Sequence, residues 1–105
     1  MENKTVWVAF GEGGRIIAIA SSDREAARAM VKTGYLSLDD EEAVSYEIER
    51  YHGLGHISVR EAAEKCNLDV EIFLVIVLRR QLRDYWIDDC SLKEYAISHY
   101  PWPLE

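Results

Sequence analysis

The sequence predicts an α+β fold, in which an N-terminal β-hairpin and helix (a β-β-α unit, residues 1–34) are followed by a helical bundle with a helix-turn-helix. Three observations predict this fold. Two β-prone apolar runs near the N-terminus are joined by a glycine-rich turn. Serine and glutamate stand three residues apart at three places, the pattern that opens a helix. The most apolar run, Ile72–Leu78, follows a tight turn and continues at helical spacing.

Length and composition predict one globular domain over residues 1–105. The chain is 49% hydrophobic, which is enough to build a core. Its net charge of −7 disfavours nucleic acid as a general partner, because phosphate binding relies on Lys and Arg. Two cysteines do not make a disulfide framework and the N-terminus lacks a signal peptide, so we expect a cytoplasmic protein. The final Leu104-Glu105 has the form of an expression-tag scar.

The N-terminal unit is predicted from two strands and a capped helix. Thr5–Phe10 and Arg15–Ala20 are the strands, and the glycines between them supply the positive dihedrals of a hairpin loop. Ser22 with Glu25 forms a capping box for the helix that follows, and Gly34 ends it. Because a two-stranded ribbon is marginal alone, we expect it to pair with another strand, such as its copy in a second subunit, or to be covered by a helix.

The helical part, residues 37–99, is predicted to open with a third helix. Its first turn carries an acidic patch that is either a solvated helix face or a mimic of phosphate spacing. The two glycines of residues 51–56 predict a hinge loop, whose histidines lack the neighbours of a metal site. Ser91 with Glu94 predicts a short last helix through His99. The residues of the acidic patch are Asp39, Asp40, Glu41 and Glu42.

A helix-turn-helix is predicted over residues 58–84. Ser58 with Glu61 forms another capping box, Asn67 suits a left-handed turn, and Asp69 can cap the second helix. A buried β-strand over Ile72–Leu78 is the alternative, because that run is rich in β-branched residues.

The run HISVREAAEKCNLDVEIFLVIV, within residues 56–78, is similar to the helix-turn-helix of small prokaryotic antitoxin-type proteins. The similarity covers about a third of the chain, and its motif is loose. It implies a regulatory, non-enzymatic protein whose partner is a toxin or another regulator.

The groove-facing positions of the second helix depart from a DNA-reading member of that family. Asp69 and Glu71 would face phosphate oxygens, and the other positions are aliphatic, so they cannot donate to base edges. Direct DNA binding is therefore disfavoured, and the aliphatic side chains predict an interface with protein. The predicted interface consists of Val70, Leu74, Val75 and Leu78.

A basic patch follows the apolar run. Arg79, Arg80 and Arg83 are succeeded by aspartates, which predicts a solvated helix face with local pairing. The alternative is a contact with phosphate or with an acidic partner.

Three functions are compatible with these features. The first is a non-enzymatic, homodimeric interaction protein that uses a degenerate helix-turn-helix to bind protein. The second is an acidic inhibitor of a nucleic-acid-binding machine, of the anti-restriction or anti-CRISPR type. The third is a DNA-binding regulator that presents the arginines of the basic patch. No catalytic constellation, metal site, cofactor site or membrane segment is predicted.

Overall fold

The computed structural model of the chain describes residues 4–48 and 53–97. These residues form strands and helices that are interspersed along the chain. None of the described helices is long and apolar enough to span a membrane. The elements are β1 (Thr5–Phe10), β2 (Ile16–Ala20), α1 (Asp23–Lys32), β3 (Val44–Glu47), β4 (Leu54–Ile57), α2 (Val59–Lys65), α3 (Val70–Leu78), β5 (Tyr85–Trp86) and β6 (Ser91–Ala96).

The predicted fold class is wrong in its second half. The chain is α+β, but its strands are spread along the sequence and form two antiparallel sheets, with no helical bundle after α1 among the described residues. Sheet A has the strand order β2-β1-β6, and sheet B has the order β4-β3-β5. Only the N-terminal strands, β1 and β2, come from the predicted hairpin, and α1 follows them with Ser22 as its cap.

Sheet A contains a strand that the sequence did not predict, β6. The predicted last helix at Ser91 is wrong, because β6 pairs with β1 along the whole strand, from Thr5↔Ala96 to Phe10↔Ser91. One serine cap stabilises a short helix by only about 1 kcal/mol, whereas this ladder satisfies the backbone of two strands at once. β6 is thus the additional strand that the hairpin required.

The predicted third helix is also wrong. The Ser37 hydroxyl accepts from the amide of Asp39, and the Asp40 side chain accepts from the amide of Glu42. Such local bonds offer the backbone an alternative to the helix, which is why Ser and Asp favour turns. The following residues, Val44–Glu47, form β3, in which Val44 and Ser45 are buried and Glu47 is exposed.

The predicted hinge, residues 51–56, is wrong over its second half, because β4 begins at Leu54. Residues 49–52, which include His52, lie outside the described residues. Gly55 is needed in β4 because the Tyr46 ring of β3 lies over it, and a Cβ there would approach that ring to 2.5 Å. The His56 Nδ1 lies 3.2 Å from the Ser45 hydroxyl on the neighbouring strand.

Two helices joined by a turn, α2 and α3, lie where the helix-turn-helix was predicted. Ser58 accepts a hydrogen bond from the amide of Glu61, Asn67 has a φ of 56°, and Asp69 accepts from two amides of the first turn of α3. Residues 72–78 are helical, so the strand alternative for them is wrong.

α3 ends much earlier than the predicted residue 84. Arg80 takes a left-handed conformation, with a φ of 57°. The amide of Arg80 donates to the Val77 carbonyl over 2.8 Å, and that of Gln81 donates to the Ile76 carbonyl over 3.0 Å. This is a Schellman ending, usually made by glycine. Because an arginine stands there, the sequence pattern did not reveal it.

The core lies around α3. Phe73 and Leu78 are fully buried, as are Met30 of α1 and Ala9 of β1. Phe73 meets the Tyr85 ring edge-on, with the ring centroids 5.8 Å apart, and so joins α3 to sheet B.

The two thiols are expected to differ in reactivity. Burial raises the pKa of the Cys90 thiol, and the nearby Asp88 and Asp89 raise it further, whereas Cys66 is only half-buried. Since the thiolate is the reactive form, iodoacetamide should alkylate Cys66 before Cys90 in the folded protein. Peptide mass spectrometry over a time course measures both rates. Equal rates in urea are the control, and equal rates in the native protein would contradict the burial of Cys90.

Candidate functional site

The predicted protein interface on α3 is not available on the folded chain. Leu74, Val75 and Leu78 are 2%, 8% and 0% exposed and belong to the chain's own core. Val70 is half-buried. These residues are buried because α3 is apolar on nearly every side, and a helix of this kind usually lies in the core of a protein. α3 is covered by α1, α2, β5 and β6.

The remaining exposed side of α3 is narrow. Ile72 is 42% exposed, and Glu71 and Ile76 are half-buried. None of these three side chains can donate a hydrogen bond at neutral pH, so this side of α3 offers no group that could read the acceptors of a base edge.

A groove lies between α1 and the start of α3, and it is the best candidate site in the described part of the chain. Its volume is about 260 Å³. Four aliphatic side chains line it, one of which, Leu38, comes from the loop after α1. Two of the predicted interface residues therefore do border a surface feature, although a different one. The aliphatic residues are Val31, Leu38, Val70 and Leu74, and the charged ones are Arg28, Lys32 and Glu71.

Two arginines of α1 converge on one carboxylate at the groove. Glu71 accepts from the Nε of Arg24 over 2.8 Å, from the Nε of Arg28 over 2.7 Å and from the Nη2 of Arg28 over 2.8 Å. The hydrogen bond from Arg28 lowers the pKa of Glu71, and Glu71 in turn raises the pKa of Arg28. Two cations face one anion, and Lys32 adds a third cation. The rim is therefore locally positive on a chain of net charge −7.

Sequence reasoning missed this rim. The signal was the spacing of Arg24, Arg28 and Lys32, which places all three along one face of a helix. The association of Arg24 and Arg28 with Glu71 depends on the packing of α1 against α3, because the partners lie more than 40 positions apart in the sequence.

Glu71 is expected to make stability depend on pH in the acid range. Its pKa in the folded protein lies below the ordinary value of 4.5, so its contribution is complete at neutral pH and is lost as the pH falls below 4.5. The unfolding temperature of Glu71→Gln should therefore lie below that of the wild type at neutral pH, with the difference shrinking in acid. Thermal unfolding across that range measures it. A difference that grows on acidification would contradict the assigned ion pairs, and Glu64→Gln, at an exposed position of α2, is the control.

The acidic patch lies in the turn before β3 instead of on a helix. All four of its side chains are exposed, and only Asp39 makes an ion pair among the described residues, with the Nε of Arg60 over 2.9 Å. The patch is accessible to solvent, but it is not the regular helical array that the sequence suggested.

The basic patch is divided by the structure. Arg79 pairs with Asp23 over 3.1 Å and lies over the Trp7 ring, with its guanidinium carbon 4.8 Å from the centroid. Arg80 and Arg83 line a separate shallow cleft, whose other charged lining residues are aspartates. Arg79 therefore stabilises the junction of β1, α1 and α3, and the three arginines do not form one surface. The aspartates of the cleft are Asp88 and Asp89.

Within residues 4–48 and 53–97, no three His, Cys, Asp or Glu side chains come together as a metal site. Comparisons with protein-family models, with curated proteins and with solved structures found no match to this chain. The similarity of residues 56–78 to antitoxin-type proteins therefore stays a prediction.

Proposed function

We propose that this protein is a small, non-enzymatic regulator that binds a partner protein in the groove between α1 and α3. The observation that carries the proposal is the combination of an aliphatic floor with a positive rim. A partner suited to this groove presents an apolar side chain next to carboxylates. The class of function is the one that the sequence predicted, but the surface has moved from the buried side of α3 to its junction with α1.

The buried state of α3 supports a role in protein binding over DNA reading. In a DNA-reading helix-turn-helix, the second helix presents donor side chains to the major groove. Here the second helix packs into its own core, and its exposed side is aliphatic and acidic. A gel-shift series at low salt should accordingly show no complex with duplex DNA.

The partner class follows from charge and from the family similarity. A positive rim on an acidic chain attracts an acidic segment while the rest of the surface repels it, so the charge pattern favours one orientation. A toxin or another regulator is the partner that the antitoxin-type similarity implies. We place the protein in the cytoplasm, since both cysteines are free thiols.

The proposal is tested by selecting peptides from a display library and measuring their affinities. Peptides that bind this protein are expected to carry a large apolar residue beside Asp or Glu. Lys32→Glu should weaken their binding on the order of tenfold, as expected when a rim charge is reversed against its partner. Lys65→Glu, which reverses a cation near the end of α2, is the matched control and should bind as well as the wild type.

The same titrations can contradict the proposal. Selected peptides that are basic, or that bind Lys32→Glu and the wild type equally well, would place the interface elsewhere. Amide chemical shifts of the wild type should move at Val31, Leu38 and Val70 when a peptide is added. Chemical-shift changes confined to other residues would also place the interface elsewhere.

An acidic inhibitor of a nucleic-acid-binding protein is a second proposal. It is favoured by the exposure of all four carboxylates of the acidic patch on one turn. Neutralising Asp39, Asp40, Glu41 and Glu42 together should abolish inhibition of a basic target, and added salt should weaken it. Inhibition that survives either change would remove this alternative, and it would leave the groove proposal untouched.

A further inference from the structure

The two outer strands of sheet A differ in chemistry. β6 carries Lys93 and Glu94, and charged side chains are a common protection of a strand edge. β2 has the sequence IIAIA, with no charge and no proline, and its pairing with β1 is interrupted at one position, Ile17. An apolar edge strand of this kind is a site where another strand can pair.

The outer edge of β2 is accessible. Ile19 is 47% exposed, and the other four residues of β2 are half-buried. β2 pairs with β1 on one side, and no strand of the described residues pairs with its other side. α1 packs on sheet A but does not take the place of a strand beside β2.

We propose that β2 pairs in antiparallel fashion with β2 of a second copy of this chain, with Ala18 at the twofold axis. The two copies of sheet A then form one continuous sheet. In this register the exposed Ile19 of each copy faces the half-buried Ile17 of the other copy and so gains an apolar neighbour. Main-chain hydrogen bonds supply the pairing, as in other cases of strand addition.

Charged residues on either side of β2 favour a second copy of this chain as the partner that pairs with the free edge of β2. The register places Arg15 opposite Ser21 of the second copy. The Ser21 hydroxyl donates to the Glu25 carboxylate over 2.7 Å, which holds that carboxylate beside the end of β2. Arg15 is exposed and makes no ion pair with any residue that the structure describes. Antiparallel pairing therefore brings the unpaired Arg15 of each copy close to the Glu25 carboxylate of the other copy, at both ends of the interface.

This charge pattern also fixes the register. Each copy contributes one Arg15 and one Glu25, so twofold symmetry creates the same ion pair twice. A shift of the register by two residues would keep the side chains on their faces, but it would move both arginines away from the carboxylates. An unrelated apolar strand would lack the symmetric arrangement of cation and anion.

The first experiment measures the mass of the native protein by light scattering and native mass spectrometry over a range of concentrations. The wild type is expected to be a dimer, and Ile19→Lys and Ile19→Glu are both expected to be monomers. Circular dichroism should show both variants folded, because the side chain at this position is exposed. Leu54→Lys changes an equally exposed residue on the outer strand of sheet B and is the matched control that should stay dimeric.

The second experiment tests the register through the charges. Arg15→Glu should raise the dissociation constant of the dimer several-fold, and Glu25→Lys should do the same. The double variant Arg15→Glu/Glu25→Lys should return toward the wild-type value, because the same pairs re-form with opposite signs.

Three results would overturn the proposal. One is a wild type that stays monomeric at every concentration. Another is a dimer that persists in both Ile19 variants, which would place the interface elsewhere. The last is a double charge variant whose dimer has a dissociation constant no lower than those of the single variants, which would reject this register. All three are independent of peptide binding at the groove between α1 and α3.

Discussion

Leu78→Asp is expected to leave the protein unfolded at room temperature. Leu78 is 0% exposed in the last turn of α3, where an aspartate would bury an unpaired carboxylate. An unpaired buried charge, together with the lost leucine packing, costs several kcal/mol, which is of the order of the 5–15 kcal/mol by which whole domains are stable. Circular dichroism and urea titration measure the loss.

Ile72→Asp is the matched control for that experiment. It introduces the same charge into the same helix at a position that is 42% exposed, so the protein should remain folded with a loss below about 1 kcal/mol. A folded Leu78→Asp protein that loses only a partner would contradict the buried position of α3. It would favour the docking surface that the sequence suggested.

Phe73→Ala is expected to lower the free energy of unfolding by about 3–5 kcal/mol, the usual cost of removing a buried phenylalanine. Phe73 is 0% exposed, and its ring meets Tyr85 of β5. The variant therefore leaves a cavity where α3 joins sheet B. Urea denaturation should show a lower midpoint with an unchanged slope, since the surface exposed on unfolding stays nearly the same.

Leu54→Ala serves as the control for Phe73→Ala. Leu54 is 56% exposed, so its truncation should change stability by no more than about 0.5 kcal/mol. A Phe73→Ala loss as small as that of the control would contradict the role of Phe73 in joining α3 to sheet B.

Features governed by neighbouring residues could be predicted from the sequence. Ser22, Ser58 and Asp69 cap their helices through amides two or three positions away, and Asn67 makes its turn locally. The hairpin of β1 and β2 needed only two apolar runs and a glycine-rich loop. In each of these cases the whole interaction lies within one short window of sequence.

Features governed by distant partners could not be predicted. Ser91 and Glu94 carry a good capping signal, yet β6 forms because β1, about 85 residues earlier in the chain, lies beside it. β3 likewise depends on pairing with both β4 and β5. Local propensity is a weak determinant when a strand can complete a ladder with a neighbouring strand.

The candidate site and the end of α3 were missed for three separate reasons. The apolar residues of α3 indicated burial, but the sequence did not tell burial in the chain's own core from burial by a partner. The early end of α3 at Arg80 was hidden, because a left-handed arginine carries no signal comparable to glycine. Arg24 and Arg28 were visible in the sequence, but their convergence on Glu71 required the packing of two helices.

The central claim is that α3 supports the fold from inside, so that partners must bind at its junction with α1. Amide hydrogen exchange of residues 70–78, measured in monomeric protein, tests this most directly. The amides from Phe73 to Leu78 should be among the slowest in the chain and should exchange only through global unfolding. Fast exchange there, or protection that appears only when a partner or a second copy is added, would contradict the claim.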